Sequence, residues 1–202
     1  MTKVTASPAI SLDGYMAGPN QTRAKPFGDR MDGEPLHRWM FEEADKHQPE
    51  IDRHVNAGAF VMGRNMFGPD RGEWDLDWKG WWGDDPPYHA PVFVLAHRER
   101  EPVEMQGGTT FQFVTTGIHD AVERARAAAG DRDVLIAGGA NAINQGLAAG
   151  LLDELHLHVV PLIVGAGARL LDGVENVELV PIAEPHGSAL VTHLSYRVAS
   201  WR

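Results

Sequence analysis

A pair of adjacent glycines between an apolar strand and a helix is the feature that most restricts the fold. The apolar residues 134–137 run directly into Gly138 and Gly139, and a helical pattern follows from Asn141 to Ala149. Two glycines at such a turn remove the side chains that would keep a ligand away from the backbone. The first amides of the helix carry partial positive charge, which favours an anion such as a cofactor pyrophosphate.

Strands alternate with helices in the first part of the chain, and the helices disappear in the last part. The predicted strands are 4–10, 59–62, 91–96, 109–114, 134–136, 155–164, 177–180 and 189–198, and the predicted helices are 36–46, 51–57, 119–129 and 141–149. This order predicts a mostly parallel α/β sheet with an antiparallel C-terminal edge. Because no repeat or linker divides the chain, we expect one domain over residues 1–202.

Composition excludes several kinds of partner and site. The chain has 202 residues, a net charge of −10 and no cysteine. A nucleic-acid or anionic-membrane partner would need a basic face, and a thiolate nucleophile or Cys-based metal site would need cysteine. The N-terminus lacks the apolar core of a signal peptide, and no apolar run has membrane-spanning length. We therefore expect a cytoplasmic protein that binds neither nucleic acid nor membrane.

Two further strands end in groups that suit an anionic ligand. The strand at 59–62 is followed by Gly63 and Arg64, and the strand at 91–96 by His97 and Arg98. Ligands of open α/β sheets gather at the carboxyl ends of the strands. A guanidinium suits phosphate because it is planar and permanently charged. The alternatives are a surface arginine in a turn and a solvated strand end.

The glycine turns do not match the Rossmann fingerprint. That pattern needs a third glycine inside the helix start and an acidic residue about 20 residues further on. Here Ala140, Asn141 and Ala142 follow the glycine pair, and the acidic residue is missing from a suitable strand. A Rossmann fold is therefore disfavoured, whereas dinucleotide binding stays open.

The order of four motifs is similar to that of the dihydrofolate reductase-like fold. The motifs are Ser11–Tyr15, Met62–Arg64, Ile136–Asn141 and Leu151–Leu157. Within this fold the chain most resembles stand-alone relatives of the reductase domain in the riboflavin-biosynthesis deaminase–reductase. The resemblance implies a three-layer α/β/α architecture and an NADPH-dependent reductase that acts on a small-molecule, pterin- or ribosylaminopyrimidine-like acceptor. It also implies a homodimer.

The resemblance further implies which residues would contact NADPH, with Arg64 favouring its 2′-phosphate and Ile10 acting through its backbone. The implied cofactor residues are Ile10, Gly63, Arg64, Asn65, Met66, Leu95, Ala96, His97, Gly138, Gly139, Ala140, Asn141, Ile143 and Gln145.

The substrate side departs from both named enzymes. Dihydrofolate reductases have a carboxylate early in the first long helix, where this chain has Pro35 or Leu36, with Glu34 only nearby. The riboflavin-pathway reductases have a lysine in the first strand, where this chain has Ser7. Hydride transfer itself needs a positioned nicotinamide rather than a strong acid. Three functions therefore stay open: a reductase of another planar or heterocyclic acceptor, a nucleotide-binding module without turnover, and a folate- or riboflavin-pathway enzyme proper.

Three residues are candidates for the substrate pocket. Asp13, also the one catalytic candidate, either contacts substrate and relays a proton or serves as a turn residue before Gly14. Tyr15 and Trp39 either wall the pocket or fill the core. The loop at 74–82 holds four of the six tryptophans. It forms a substrate lid, an aromatic wall for a flat acceptor or part of a dimer contact, or it simply packs onto the domain.

Ten histidines raise the question of a metal site. His156 and His158 are two residues apart on a predicted strand and so share a face. Glu154 would complete that face only at its edge, so a third ligand is not evident. We therefore expect an ordinary polar sheet face and no metal site.

Overall fold

The computed structural model describes residues 2–70 and 72–200, in which eleven strands form one sheet and two more form a small second sheet. The strands are β1 (Val4–Ala6), β2 (Ala9–Ser11), β3 (Tyr15–Ala17), β4 (Ala59–Gly63), β5 (Pro91–Leu95), β6 (Val103–Glu104), β7 (Thr110–Val114), β8 (Val134–Gly138), β9 (Glu154–Val160), β10 (Ala168–Arg169), β11 (Val177–Pro181), β12 (His186–Gly187) and β13 (Thr192–Ser200). The α-helices are α1 (Gly33–Glu42), α2 (Gln48–Val55), α3 (Arg64–Phe67), α4 (Ile118–Ala129) and α5 (Ala140–Ala148), and 3-10 turns cover Ala44–Lys46 and Gln106–Gly108.

The main sheet follows the order β11-β13-β9-β1-β8-β4-β5-β7-β6, with β2 on β9 and β12 on β13. From β9 to β7 all neighbours are parallel, and β13 and β11 add antiparallel pairs at the C-terminal edge. The mostly parallel sheet with an antiparallel C-terminal edge is therefore confirmed. The sequence did not predict the antiparallel β6 at the other edge or the small sheet of β3 and β10.

Alternate residues of the central strands enter different cores. Val61 and Ile136 lie in the core formed with α4 and α5, whereas Phe60, Met62 and Leu135 lie in a core on the opposite face. This alternation is the period-two pattern of a strand buried on both sides. With α1 and α2 packed over β2 and β9 in a third core, helices cover both faces of the sheet. In the described part of the chain, no helix has the length and hydropathy to cross a bilayer.

Prolines shorten two of the predicted strands. The strand predicted at 4–10 is split into β1 and β2, with Pro8 between them, and the strand predicted at 155–164 ends before Pro161. Proline has no N–H to donate to a neighbouring strand, which makes it a natural strand boundary. The helix predicted at 36–46 begins earlier, at Gly33, and ends at Glu42.

Three of the four tryptophans of the 74–82 loop, Trp74, Trp78 and Trp82, pack on the face formed by β4, β5 and β7. Trp82 stacks on Phe111 with ring centroids 5.8 Å apart, and Trp74 meets the edge of Phe113 at 4.8 Å. The Trp78 indole N–H donates to the carbonyl of Phe67 at 2.8 Å. These contacts support the packing alternative for this loop, which takes the place of a helix on this part of the sheet.

Phe111 gives a direct test of this loop-covered core. It is fully buried among Phe67, Trp82 and Tyr88. We expect Phe111→Ala to lower the free energy of unfolding by about 3–5 kcal/mol, because the substitution removes buried apolar atoms and leaves a cavity that the neighbouring side chains only partly refill. The matched control is Phe41→Ala, since Phe41 is 78% exposed and should change stability by no more than about 0.5 kcal/mol. Urea unfolding measures both, and equal effects would contradict the described core.

Candidate functional site

The two glycine turns identified in the sequence lie side by side. The parallel register of β4 and β8 sets Met62 opposite Gly138. A Cβ added to Gly63 would lie 3.6 Å from the Gly139 nitrogen. The next strand continues this edge, since Gly63 pairs with Leu95 of β5. The carboxyl ends of β8, β4 and β5 therefore bring most of the implied cofactor residues to one edge of the sheet.

The two glycines of the 138–139 turn serve different purposes. Gly138 has a φ of +138°, and a Cβ there would lie 3.2 Å from the Met66 sulfur and 3.4 Å from the Met16 methyl carbon. Gly139 has an ordinary φ of −69° and caps the start of α5. A Cβ on Gly139 would meet no described atom within 4 Å. The backbone at Gly139 thus faces open space, next to the first amides of α5.

Arg64 at the end of β4 makes a hydrogen bond and a ring contact. Its Nη1 donates to the carbonyl of Gly68 at 2.9 Å, and its guanidinium carbon lies 3.5 Å from the ring centroid of Trp74. A guanidinium stacked on an indole is oriented by the ring and keeps its charge. Asn65 is positioned nearby through its contact with Gln21, at 3.3 Å. The tryptophan loop therefore orients the cation that the sequence analysis singles out.

The other implied cofactor residues divide into accessible and buried ones. Asn141 and Gln145 are exposed and line a groove of about 360 Å³, whose other wall includes Arg169, whereas Ala140 at the edge of this groove is buried. His97 is exposed at the end of β5, next to the half-buried Leu95 and Ala96. In contrast, the side chains of Ile10 and Ile143 belong to the core, so only their backbone can face a ligand.

Asp13 anchors a loop. Its carboxylate accepts a hydrogen bond from the Ser11 hydroxyl at 2.6 Å and from the amides of Val164 and Gly165 at 3.1 and 2.7 Å. The Ser11 hydrogen bond, and secondarily the amides, lower the pKa of this carboxyl below its ordinary value. An ionised carboxylate engaged in this way supports the turn alternative over proton relay.

The two aromatic candidates for the pocket differ in exposure. Tyr15 is half-buried on β3, and the Arg169 guanidinium lies 5.8 Å from its ring centroid. Trp39 is fully buried and packs on the rings of His158 and His193, at 4.9 and 5.0 Å. Of its two alternatives, core packing is the one that the structure supports for Trp39.

A buried chain of histidines begins at Ser7 and was not anticipated. The Ser7 hydroxyl lies 2.8 Å from His158 Nε2, His158 Nδ1 lies 2.7 Å from His193 Nδ1, and His193 Nε2 lies 2.9 Å from His47 Nδ1. Burial lowers the pKa of His193 to about 4 and that of His158 well below its ordinary value. His158 and His193 alternate with apolar residues along β9 and β13, whereas Ser7 and His47 lie outside these strands. The meeting of the four side chains depends on the tertiary fold.

The sheet order, the paired glycine turns and the two helical layers define a dihydrofolate reductase-like α/β domain. Within that class, the chain belongs to the RibD C-terminal domain family, whose model matches residues 2–189. No curated protein sequence matches this chain.

Solved structures of three proteins share this fold. One, from Shewanella sp. PV-4 and named provisionally as a riboflavin biosynthesis protein, has 22% identity, a TM-score of 0.59 and coverage of 98% of this chain and 99% of its own. A pyrimidine reductase-like protein from Corynebacterium diphtheriae has 16% identity, a TM-score of 0.56 and coverage of 98% and 92%. The third is a diaminohydroxyphosphoribosylaminopyrimidine deaminase/5-amino-6-(5-phosphoribosylamino)uracil reductase from Thermotoga maritima, with 14% identity and a TM-score of 0.55. This chain is covered over 98% of its length and spans 57% of that protein.

The anchoring role of Asp13 predicts a pH-dependent contribution to stability. Because its folded pKa is lowered, the stabilisation is present above the unfolded value of about 3.9 and is lost as pH falls through the folded pKa. We expect Asp13→Asn to lower the melting temperature at pH 7, with a smaller difference from the unsubstituted protein near pH 2.5. Asp131→Asn, at an exposed position, serves as control. A difference that is the same at both pH values would contradict the role.

Proposed function

We propose that this protein is an NADPH-dependent reductase that transfers a hydride to a small planar or heterocyclic acceptor, of pyrimidine or pterin type. The observation that carries the proposal is the open backbone of Gly139 beside Gly63, at the carboxyl edge of a parallel sheet. Membership of the RibD C-terminal domain family supports it, as do the names of the similar structures, two of which are reductases or reductase-like. A cytoplasmic homodimer remains a prediction.

The chain's own residues suit the two ends of such a cofactor. The amides at the start of α5 and the side-chain-free surface of Gly139 would hold the pyrophosphate, because that surface lets an anion approach the helix dipole. Arg64, oriented by Trp74, would hold the 2′-phosphate. Met16 and Met66 close over Gly138 and would pack against the nicotinamide side. When bound, the cofactor supplies the hydride, and the protein supplies position and exclusion of water.

One observation favours the second candidate, a nucleotide-binding module without turnover. The polar groups nearest the expected acceptor side are already engaged within the protein. Asp13 is bound by Ser11 and by two amides, and Ser7 is bound by His158. Asp13 and Ser7 therefore do not offer an acceptor the contacts that the lysine and the carboxylate of the related enzymes would offer. The two candidates share the cofactor site and differ only in turnover.

Measurements of turnover and of cofactor binding together distinguish the reductase from the nucleotide-binding module. We expect NADPH consumption, followed by its absorbance, with at least one acceptor from a panel of pyrimidinones, pterins and quinones. Gly139→Ala should reduce NADPH affinity at least tenfold, because its methyl group enters the open space, while costing at most about 1 kcal/mol of stability as a helix-cap change. Tight binding without turnover would favour the binding module, and no NADPH binding would exclude both.

Arg64 tests the choice between the two nicotinamide cofactors. We expect Arg64→Ala to weaken the affinity for NADPH by about 10- to 100-fold, which corresponds to the loss of one charge-assisted hydrogen bond. The affinity for NADH should fall much less. Fluorescence titration of both cofactors measures this, with Arg38→Ala as control, since Arg38 is exposed and pairs with Glu42 on α1. Equal losses for NADPH and NADH would exclude the 2′-phosphate role.

A further inference from the structure

Three strands place a row of histidines on one face of the sheet. His193 of β13 is paired directly with His158 of β9 on one side and with His186 of β12 on the other. Directly opposed residues of antiparallel strands project to the same face, with their side chains in reach of one another. The ring centroids are accordingly 4.8 Å apart for His158 and His193 and 5.1 Å apart for His186 and His193.

The start of α2 closes over this row with two more metal-ligating residues. His47 and Glu50 are 2% and 4% exposed, and His193 is 2% exposed. One ligand atom from each of these three residues lies within 4.8 Å of the others. Glu50 is a buried carboxylate, which normally requires a cation or several hydrogen bonds. His186 Nε2 lies 3.0 Å from its Oε1, and Arg53 lies 3.8 Å away.

We propose that His47, Glu50 and His193 form a Zn²⁺ site that joins α2 to the C-terminal strands. Two imidazoles and one carboxylate are a donor set that zinc accepts, with its fourth position left open. Two nitrogens bound to one tetrahedral zinc lie about 3.4 Å apart. The observed 2.9 Å between His47 Nδ1 and His193 Nε2 therefore needs to widen by about 0.5 Å.

The surroundings already contain the outer contacts that orient zinc-binding histidines. Such a histidine donates its other ring N–H to a carboxylate or another acceptor. His193 Nδ1 faces His158 Nδ1, and His158 Nε2 in turn faces the Ser7 hydroxyl. His47 Nε2 is buried without a hydrogen-bond partner among the described residues and lies 3.6 Å from a carboxylate oxygen of Glu43.

Proton balance permits this arrangement. Each of the neutral imidazoles of His47, His158 and His193 carries one proton, and each N···N hydrogen bond between two of them needs one proton between its nitrogens. With zinc on His47 Nδ1 and His193 Nε2, the protons lie on His47 Nε2, His193 Nδ1 and His158 Nε2. The number of protons on the histidines is unchanged, so binding requires only a change of tautomer. The half-exposed His186 side chain lies 3.0 Å from the buried Glu50 carboxylate.

The proposed zinc site differs from the expectation of no metal, because its ligands lie in segments that no sequence pattern brings together. The sequence offers no third ligand beside His156 and His158, and in the structure His156 is bound by Ser195 and lies next to Glu154. The ligands come instead from the start of α2 and from β13, which are far apart in the chain. The zinc site is independent of the proposed reductase function, because none of its ligands is among the implied cofactor residues.

Calorimetric titration of the untagged, EDTA-treated protein with ZnCl2 tests the site. We expect one zinc per chain, and a melting temperature raised by about 5–10 °C at a hundredfold excess over Kd. Glu50→Gln, which preserves shape, and His193→Asn should each weaken binding by more than about 100-fold. Glu43→Gln should weaken it by about 10- to 100-fold, as loss of an outer contact does. His119→Asn, at an exposed histidine, should bind zinc as the unsubstituted protein does.

Co²⁺ in place of zinc supplies a spectroscopic readout that a surface histidine would not reproduce. The protein should give the visible absorption of four-coordinate Co²⁺, and Glu50→Gln should lose it. Melting temperatures without metal show whether each variant folds. If His193→Asn does not fold, the result for Glu50→Gln alone decides the test. Absence of zinc binding, or unchanged affinity in Glu50→Gln, would overturn the proposal.

Discussion

The parallel pairing of β4 with β8 is the interaction on which the candidate site depends. Both strands are buried on both faces, and a slip of one residue would exchange Phe60 and Val61 between two different cores. Burial therefore locks the register that sets Met62 opposite Gly138. That register alone brings Gly63 against the Gly139 backbone and turns two separate glycine turns into one edge. The proposed cofactor site is thus a consequence of core packing.

The tryptophan loop links this core to the site. Where a helix would cover the sheet in a regular α/β domain, the loop packs its indoles on Phe111 and Phe113. The same packing sets Trp74 against the Arg64 guanidinium. One segment therefore both covers the aromatic core on this face of the sheet and orients the Arg64 guanidinium.

Long, periodic elements could be predicted, and short or long-range features could not. The strand at 134–136 and the helix at 119–129 were identified within a few residues, because their apolar spacing is a local property. Strands of two or three residues, such as β6 and β10, have no measurable period. The meeting of His47 with His193 likewise leaves no local trace, since it depends on which strands are neighbours.

The sequence by itself determined the α/β class, the two glycine turns and the family resemblance, because each depends on spacing within a short segment. Only the tertiary structure decided what individual polar and aromatic side chains do. It engages Asp13 in a loop and places Trp39 on the buried chain of histidines, against His158 and His193. The physical reason is that a side chain's neighbours across strands follow from non-local pairing, which no local pattern records.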